Sequence, residues 1–149
     1  MTLKQELYNL CDAFVKQRLQ TIQHTIFSNQ KALQSETKSS AGDKHETGRA
    51  MLQLEMEKAG QQLQSIQFMK ETLARINPTQ TNNIVSLGSI VYTSQATYFL
   101  SISAGQLVVA NKPYFAVSVS SPIGKLLLGK REKDTFVFNG KQLVIENLL

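Results

Sequence analysis

Proline is missing from the first 77 residues of this chain, and all three prolines, Pro78, Pro113 and Pro122, come after them. A proline inside a helix removes a hydrogen bond and clashes with the preceding turn, so a stretch without one can hold long helices. The same stretch contains only Gly42, Gly48 and Gly60 as glycines and is otherwise rich in Gln, Leu, Lys, Glu, Ala and Met, the better helix formers. Apolar residues at Leu3, Leu7, Leu10 and Phe14, then Ile22, Ile26 and Leu33, keep helical spacing with a polar break near Arg18. Leu52, Met56, Ala59, Leu63 and Ile66 alternate steps of four and three, and Leu73 resumes the phase after Lys70 takes one seam position. Ser35 to Glu46 is polar, with Ala41 as its one apolar residue, and reads as a turn between two helices. Helices of roughly 35 and 30 residues at 1.5 Å per residue predict an antiparallel coiled-coil hairpin about 45 to 50 Å long. Such a hairpin buries one narrow seam, which accounts for the abundance of Gln, Lys and Glu elsewhere on it.

Pro78 ends that regime. Asn77 to Asn83 is polar, and the residue before a proline is steered away from helical geometry. The expected organisation is a hairpin over 1–76 with its tip near 39–47, a linker over 77–83, and a small domain over 84–149. The last of these holds β-rich runs at Ser89–Thr93, Thr97–Ile102, Gln106–Ala110, Phe115–Val119, Thr135–Phe138 and Gln142–Ile145. Asn139-Gly140 offers the two positive-φ positions of a tight hairpin turn. Ser121-Pro122 followed by Gly129 reads as a capped short helix with proline at its first position and a glycine stop. The predicted class is α+β: a helical hairpin, then a small antiparallel β-rich domain with one short helix.

Composition narrows the function. At 149 residues, with a net charge of +5 and 18% charged residues, the chain has no room for a large catalytic core. No apolar run approaches the roughly 18 to 20 residues of a membrane span, and the N-terminus is too polar for a secretory leader, so a cytoplasmic protein without a membrane partner is expected. Cys11 is the single cysteine, which excludes an internal disulfide and a cysteine-based zinc cage. The absence of Trp and the few aromatics give no stacking platform for single-stranded nucleic acid.

The order of these parts resembles the bacterial Gre-type transcript-cleavage factors. The resemblance rests on Leu87-Gly88-Ser89-Ile90-Val91 at the start of the sheet and on Ser121-Pro122-Ile123-Gly124-Lys125 through Leu128-Gly129-Lys130 with Asp134 beyond. In the first half, Gly42-Asp43-Lys44-His45-Glu46 is similar to the family's tip motif, with its acidic pair at matching spacing. Thr47 stands where that family usually has Asn, and Gly48-Arg49-Ala50 where it commonly has a small residue, an acid and a tyrosine. The resemblance implies a regulator that binds bacterial RNA polymerase, inserts its coiled-coil tip through the secondary channel and promotes cleavage of backtracked nascent RNA; the antiparallel hairpin, in which each helix covers the other's seam, predicts a monomer. The resemblance also implies Asp43 and Glu46 as the assisting carboxylates, acting on a Mg²⁺ shared with the polymerase, with no metal or cofactor of the free protein's own. On that reading the chain is a co-catalyst rather than an enzyme. The expected contacts to polymerase or RNA are Lys44 and Arg49, basic groups near the tip, together with Ser121, Pro122, Gly124 and Lys125 of the second motif. Some tip-modified members occupy the channel without cleaving, and the altered surroundings of the acids keep that alternative open. The C-terminal part also resembles the FKBP-type prolyl isomerases in architecture, which makes isomerase activity a further alternative, as is a purely structural coiled coil.

Two carboxylates suit this chemistry because two-metal phosphodiester hydrolysis needs hard oxygen ligands on both ions. The same residues have a plainer reading: an Asp at a helix N-cap with a Glu three residues on is a capping box, favoured by the helix dipole. His45 beside them is more often solvated than metal-bound, because a mobile turn lacks the outer hydrogen bonds that orient ligands. Cys11, near the helix seam without a neighbouring His, reads as packed and inert. Lys125, Lys130, Arg131 and Lys133 read as a solubilising surface. Lys38, Lys44 and Arg49 supply at most a weak, salt-sensitive attraction to RNA phosphates.

Overall fold

The structure is a computed structural model that describes residues 1–38 and 42–149, the side chains of residues 36–46 excepted. Its described residues form three helices, α1 (Leu3–Lys38), α2 (Gly42–Ala74) and α3 (Pro122–Leu127). Six strands accompany them: β1 (Ile90–Thr93), β2 (Thr97–Ser101), β3 (Gly105–Val109), β4 (Lys112–Ser118), β5 (Thr135–Phe138) and β6 (Lys141–Leu148). The class is α+β, as the two periodicities require. Residues group into two compact units, Val15–Met69 and Met1–Phe14 with Lys70–Leu149.

The unit Val15–Met69 is a helical hairpin. Its buried or half-buried side chains on α1 include Val15, Leu19, Ile22, Ile26, Asn29 and Leu33, and on α2 Leu52, Met56, Ala59, Leu63 and Ile66. Both sets step by four and three, the signature of a coiled-coil seam. The α1 seam therefore has no break at Arg18, because Val15 and Leu19 carry it past that exposed residue. The stripe expected from the sequence took Leu10, which is 38% exposed, where the buried residue is its neighbour Cys11.

In the other unit, α1 opens with a capping box that the sequence reading passed over: Thr2 Oγ1 accepts from Gln5 N at 3.2 Å, and Gln5 Oε1 accepts from Thr2 N at 2.9 Å. Beyond α2, Asn77 Oδ1 accepts from Thr79 N at 3.0 Å, a local turn that Pro78 favours. Lys4 Nζ donates to Gln80 O at 2.7 Å, which ties this segment to α1. Burial strips water from the Lys4 ammonium and lowers its pKa.

The strands form one sheet in the order β3-β4-β2-β1-β6-β5. All neighbours pair antiparallel except β2 and β4, which run parallel from Tyr98↔Phe115 to Ser101↔Ser118. The antiparallel β-rich unit expected from the strand runs is found, with this one parallel pair inside it: β3 takes the sheet edge and β4 turns back between β3 and β2. That return uses Ala110 and Asn111, both at positive φ (51° and 62°), a turn hidden by the rarity of Ala in this conformation. The predicted Asn139-Gly140 turn has φ of 52° and 77° at its two positions.

Alternate residues send side chains to opposite faces of the sheet, and the central strands are buried on both. Val91, Tyr98, Leu100, Leu143 and Ile145 pack with Ile123 and Leu127 of α3 and with Val85 and Phe136. Ile90, Phe99 and Ser101 alternate with them and are also fully or nearly fully buried. On that second face Cys11 of α1 meets Ser101, with Sγ 3.6 Å from Oγ.

Candidate functional site

Asp43, Lys44, Glu46 and Arg49 fall within the opening turns of α2, which begins at Gly42. Asp43 and Glu46 are three positions apart in this helix, one turn's separation. With Gly42 already helical, Asp43 lies inside the helix rather than at the residue preceding it, so the capping-box assignment does not match the backbone. The side chains of Asp43, Lys44, His45 and Glu46 lie outside the described residues, and their geometry is not part of the site. Thr47 and Arg49 are exposed and Gly48 is half-buried, which leaves the Arg49 guanidinium in solvent at this end of α2. Two carboxylates are hard oxygen donors of the kind Mg²⁺ takes, but Mg²⁺ demands near-octahedral coordination, so this pair can complete an ion's shell and cannot hold one alone.

The second group of expected contact residues surrounds α3. Ser121 is its N-cap, with Oγ accepting from Gly124 N at 3.1 Å and donating to Ser118 O at 2.6 Å. Pro122 occupies the first helical turn, where its missing N–H costs nothing. Gly124 is buried against the end of β4, and a Cβ at this position would overlap the Ser118 carbonyl. Lys125, by contrast, is exposed. Three of the four residues are thus accounted for by holding α3 on the sheet, and Lys125 is the side chain of this group that is open to a partner.

The remaining motif residues also have local work. Gly88 (φ 93°) donates its N–H to Leu100 O at 2.7 Å, and an added Cβ would lie 3.1 Å from Ile76 Cγ2. Ser89, fully buried, accepts from Ser86 N at 3.0 Å. Gly129 (φ 84°) and Lys130 pair with Val85 through two backbone hydrogen bonds of 2.8 Å. Asp134 Oδ2 accepts from Arg131 N at 2.7 Å and closes the turn before β5. Around this turn Arg131 and Lys133 are exposed and Lys130 is half-buried.

Cys11 is fully buried, and burial pushes its thiol up to about 11 against a small opposing effect of the Ser101 hydrogen bond. A thiol held protonated and out of contact with solvent is not a nucleophile. Among the described residues, no three His, Cys, Asp or Glu side chains gather as a metal site. None of their helices is long and apolar enough to cross a membrane. Lys4 and Asn29 are among the buried polar residues that sequence reasoning passed over. Asn29 was legible as a polar residue in phase with Ile22 and Ile26, whereas nothing in the sequence marks Lys4 as buried.

No known protein family and no curated protein matches the chain. Among solved structures, the transcription factor Gfh1 is similar over 90% of this chain and 90% of that one, at 20% identity and a TM-score of 0.35. A superposition this loose leaves the functional reading to rest on the residues of the chain itself.

Proposed function

We propose that this protein is a regulator that binds bacterial RNA polymerase and brings Asp43 and Glu46 to the polymerase's catalytic Mg²⁺, where they promote cleavage of backtracked RNA. The observation that supports this most directly is the position of the acids: three residues apart in the first turns of a 33-residue helix that follows a 36-residue one in the chain. Helices of that length span about 50 Å, enough to carry a side chain into a site a compact domain cannot enter. The motif residues of the β-rich unit support the same family resemblance, each in the local role described above. The Mg²⁺ supplies charge stabilisation and an activated water, and the contribution of this chain is two anionic oxygen ligands. The protein itself is then a cytoplasmic monomer and a co-catalyst, with polymerase and nascent RNA as its partners. Lys44, Arg49 and Lys125 are its proposed contacts with phosphates or with acidic polymerase surface.

The exposed Arg49, beside Thr47 and Gly48, favours a second reading in which the tip occupies the channel and blocks it without cleaving. One experiment separates the two. Purified protein is added to backtracked elongation complexes, and the RNA 3′ fragments and the elongation rate are followed together. Fragment release that Asp43→Ala with Glu46→Ala abolishes supports cleavage. Slowed elongation without fragments supports blockade. Protein that changes neither quantity refutes both.

A further inference from the structure

Asn29 occupies a seam position of the hairpin unit, is 9% exposed, and has a buried Nδ2 without a hydrogen-bond partner. A buried donor left without a partner is costly, so this position weakens the helix pair locally. Asn in a coiled-coil seam commonly fixes register or oligomeric state. Here α1 ends at Lys38 and α2 begins at Gly42, and so short a connection already fixes which helix pairs with which and in what register. The usual reason for the residue is therefore taken, and its local weakening is what remains.

Two independent features bear on the same helix pair. From Thr21 to Asn29, every residue but Gln23 comes from the weaker helix formers. Thr21 Oγ1 donates to Gln17 O at 3.0 Å and Thr25 Oγ1 to Thr21 O at 3.1 Å, contacts of the kind that bend helices. On α2, Gly60 sits in the helix interior beside the buried Ala59, and a Cβ at Gly60 would have nothing within 4 Å. No close approach calls for glycine there, so its effect is to loosen the backbone.

We propose that the hairpin unit carries a built-in joint, formed by Thr21–Asn29 of α1 and Gly60 of α2, at which the helix pair opens and bends without unfolding its ends or the β-rich unit. This holds whatever partner the protein serves, and it gives the pair a place to change course on binding. Amide hydrogen exchange of the full chain, read by mass spectrometry, tests it. In the wild type, amides of Ile22–Phe27 and of Gln61–Leu63 should exchange well ahead of those in β1 and β2. Asn29→Leu should slow exchange at the joint by about tenfold or more, and Gly60→Ala by about two- to fivefold, with β1 and β2 unchanged. Unchanged exchange at the joint in Gly60→Ala, a substitution the open surroundings accommodate, overturns the proposal. So does equal slowing in both units, which would mark global stabilisation. Should Asn29→Leu aggregate, Gly60→Ala decides alone.

Discussion

Gly124→Ala places the first carbon of a side chain where the Ser118 carbonyl already stands. Backbone on both sides leaves no flexible atom to give way, so α3 must lift from the end of β4. Lifting stretches the Ser121 Oγ to Gly124 N cap, whose loss costs about 1 kcal/mol. It also disturbs Ile123 and Leu127, which are 7% and 0% exposed in the core, and overpacking of that kind costs roughly 1–3 kcal/mol. The sum is about 2–4 kcal/mol, or a fall of about 1–2 M in urea midpoint at an m-value near 2 kcal/mol/M. The assay is selective by construction. The chain has no Trp, and its four tyrosines, Tyr8, Tyr92, Tyr98 and Tyr114, all belong to the β-rich unit, so tyrosine emission follows that unit alone. A midpoint within about 0.2 M of wild type would refute the claim that Gly124 is there for packing. The position would then be open to a direct role in partner contact.

Cys11 should resist thiol reagents in the native state and react fully in urea; rapid native labelling at about pH 8 would contradict its burial. Because its pKa rises from 9.0 to about 11 in the fold, the stability it contributes is full below pH 9 and is lost as pH climbs toward 11. That loss is on the order of 2–3 kcal/mol, and Cys11→Ala should flatten it in urea melts across that range. Lys4 works in the opposite direction: burial lowers its pKa, so its contribution grows as pH rises through the lowered value toward 10.5. Lys4→Met should remove that rise in the same melts. Ala110→Gly should stabilise the β3–β4 hairpin by about 0.5–1 kcal/mol, because Ala110 sits at φ 51° where glycine pays no steric cost; a lower urea midpoint would show the turn to be misassigned.

Local periodicity and punctuation determined a great deal. The four-three spacing from Leu52 to Ile66, the helix stop before Pro78, the strand runs, the Asn139-Gly140 turn and the Ser121 cap each depend on neighbours within a few residues, and each is present, although α2 already ends at Ala74, β4 starts at Lys112 rather than Phe115 and β6 runs on to Leu148. Asp43 and Glu46 read from the sequence as part of a turn over Ser35–Glu46, whereas α1 runs to Lys38 and α2 already begins at Gly42. What failed was phase and partnership. Leu10 and Cys11 are equally compatible with a helix, and only the arrival of Ser101 from β2, 90 residues on, decides that Cys11 is the buried one.

Tertiary structure alone decided the rest, because it concerns pairs distant along the chain. The parallel register of β2 with β4 follows from where β3 is laid, which no single strand encodes. Gly124 is a glycine because of a carbonyl six residues earlier that reaches it only once α3 folds back on β4. The burial of Lys4 depends on a carbonyl 76 residues away. Asn29 is an ordinary polar residue until a second helix covers it and its amide is left without a partner. A sequence fixes what each segment can bury along its own length, while the cost of a polar atom or a missing Cβ is set by whatever packs against it.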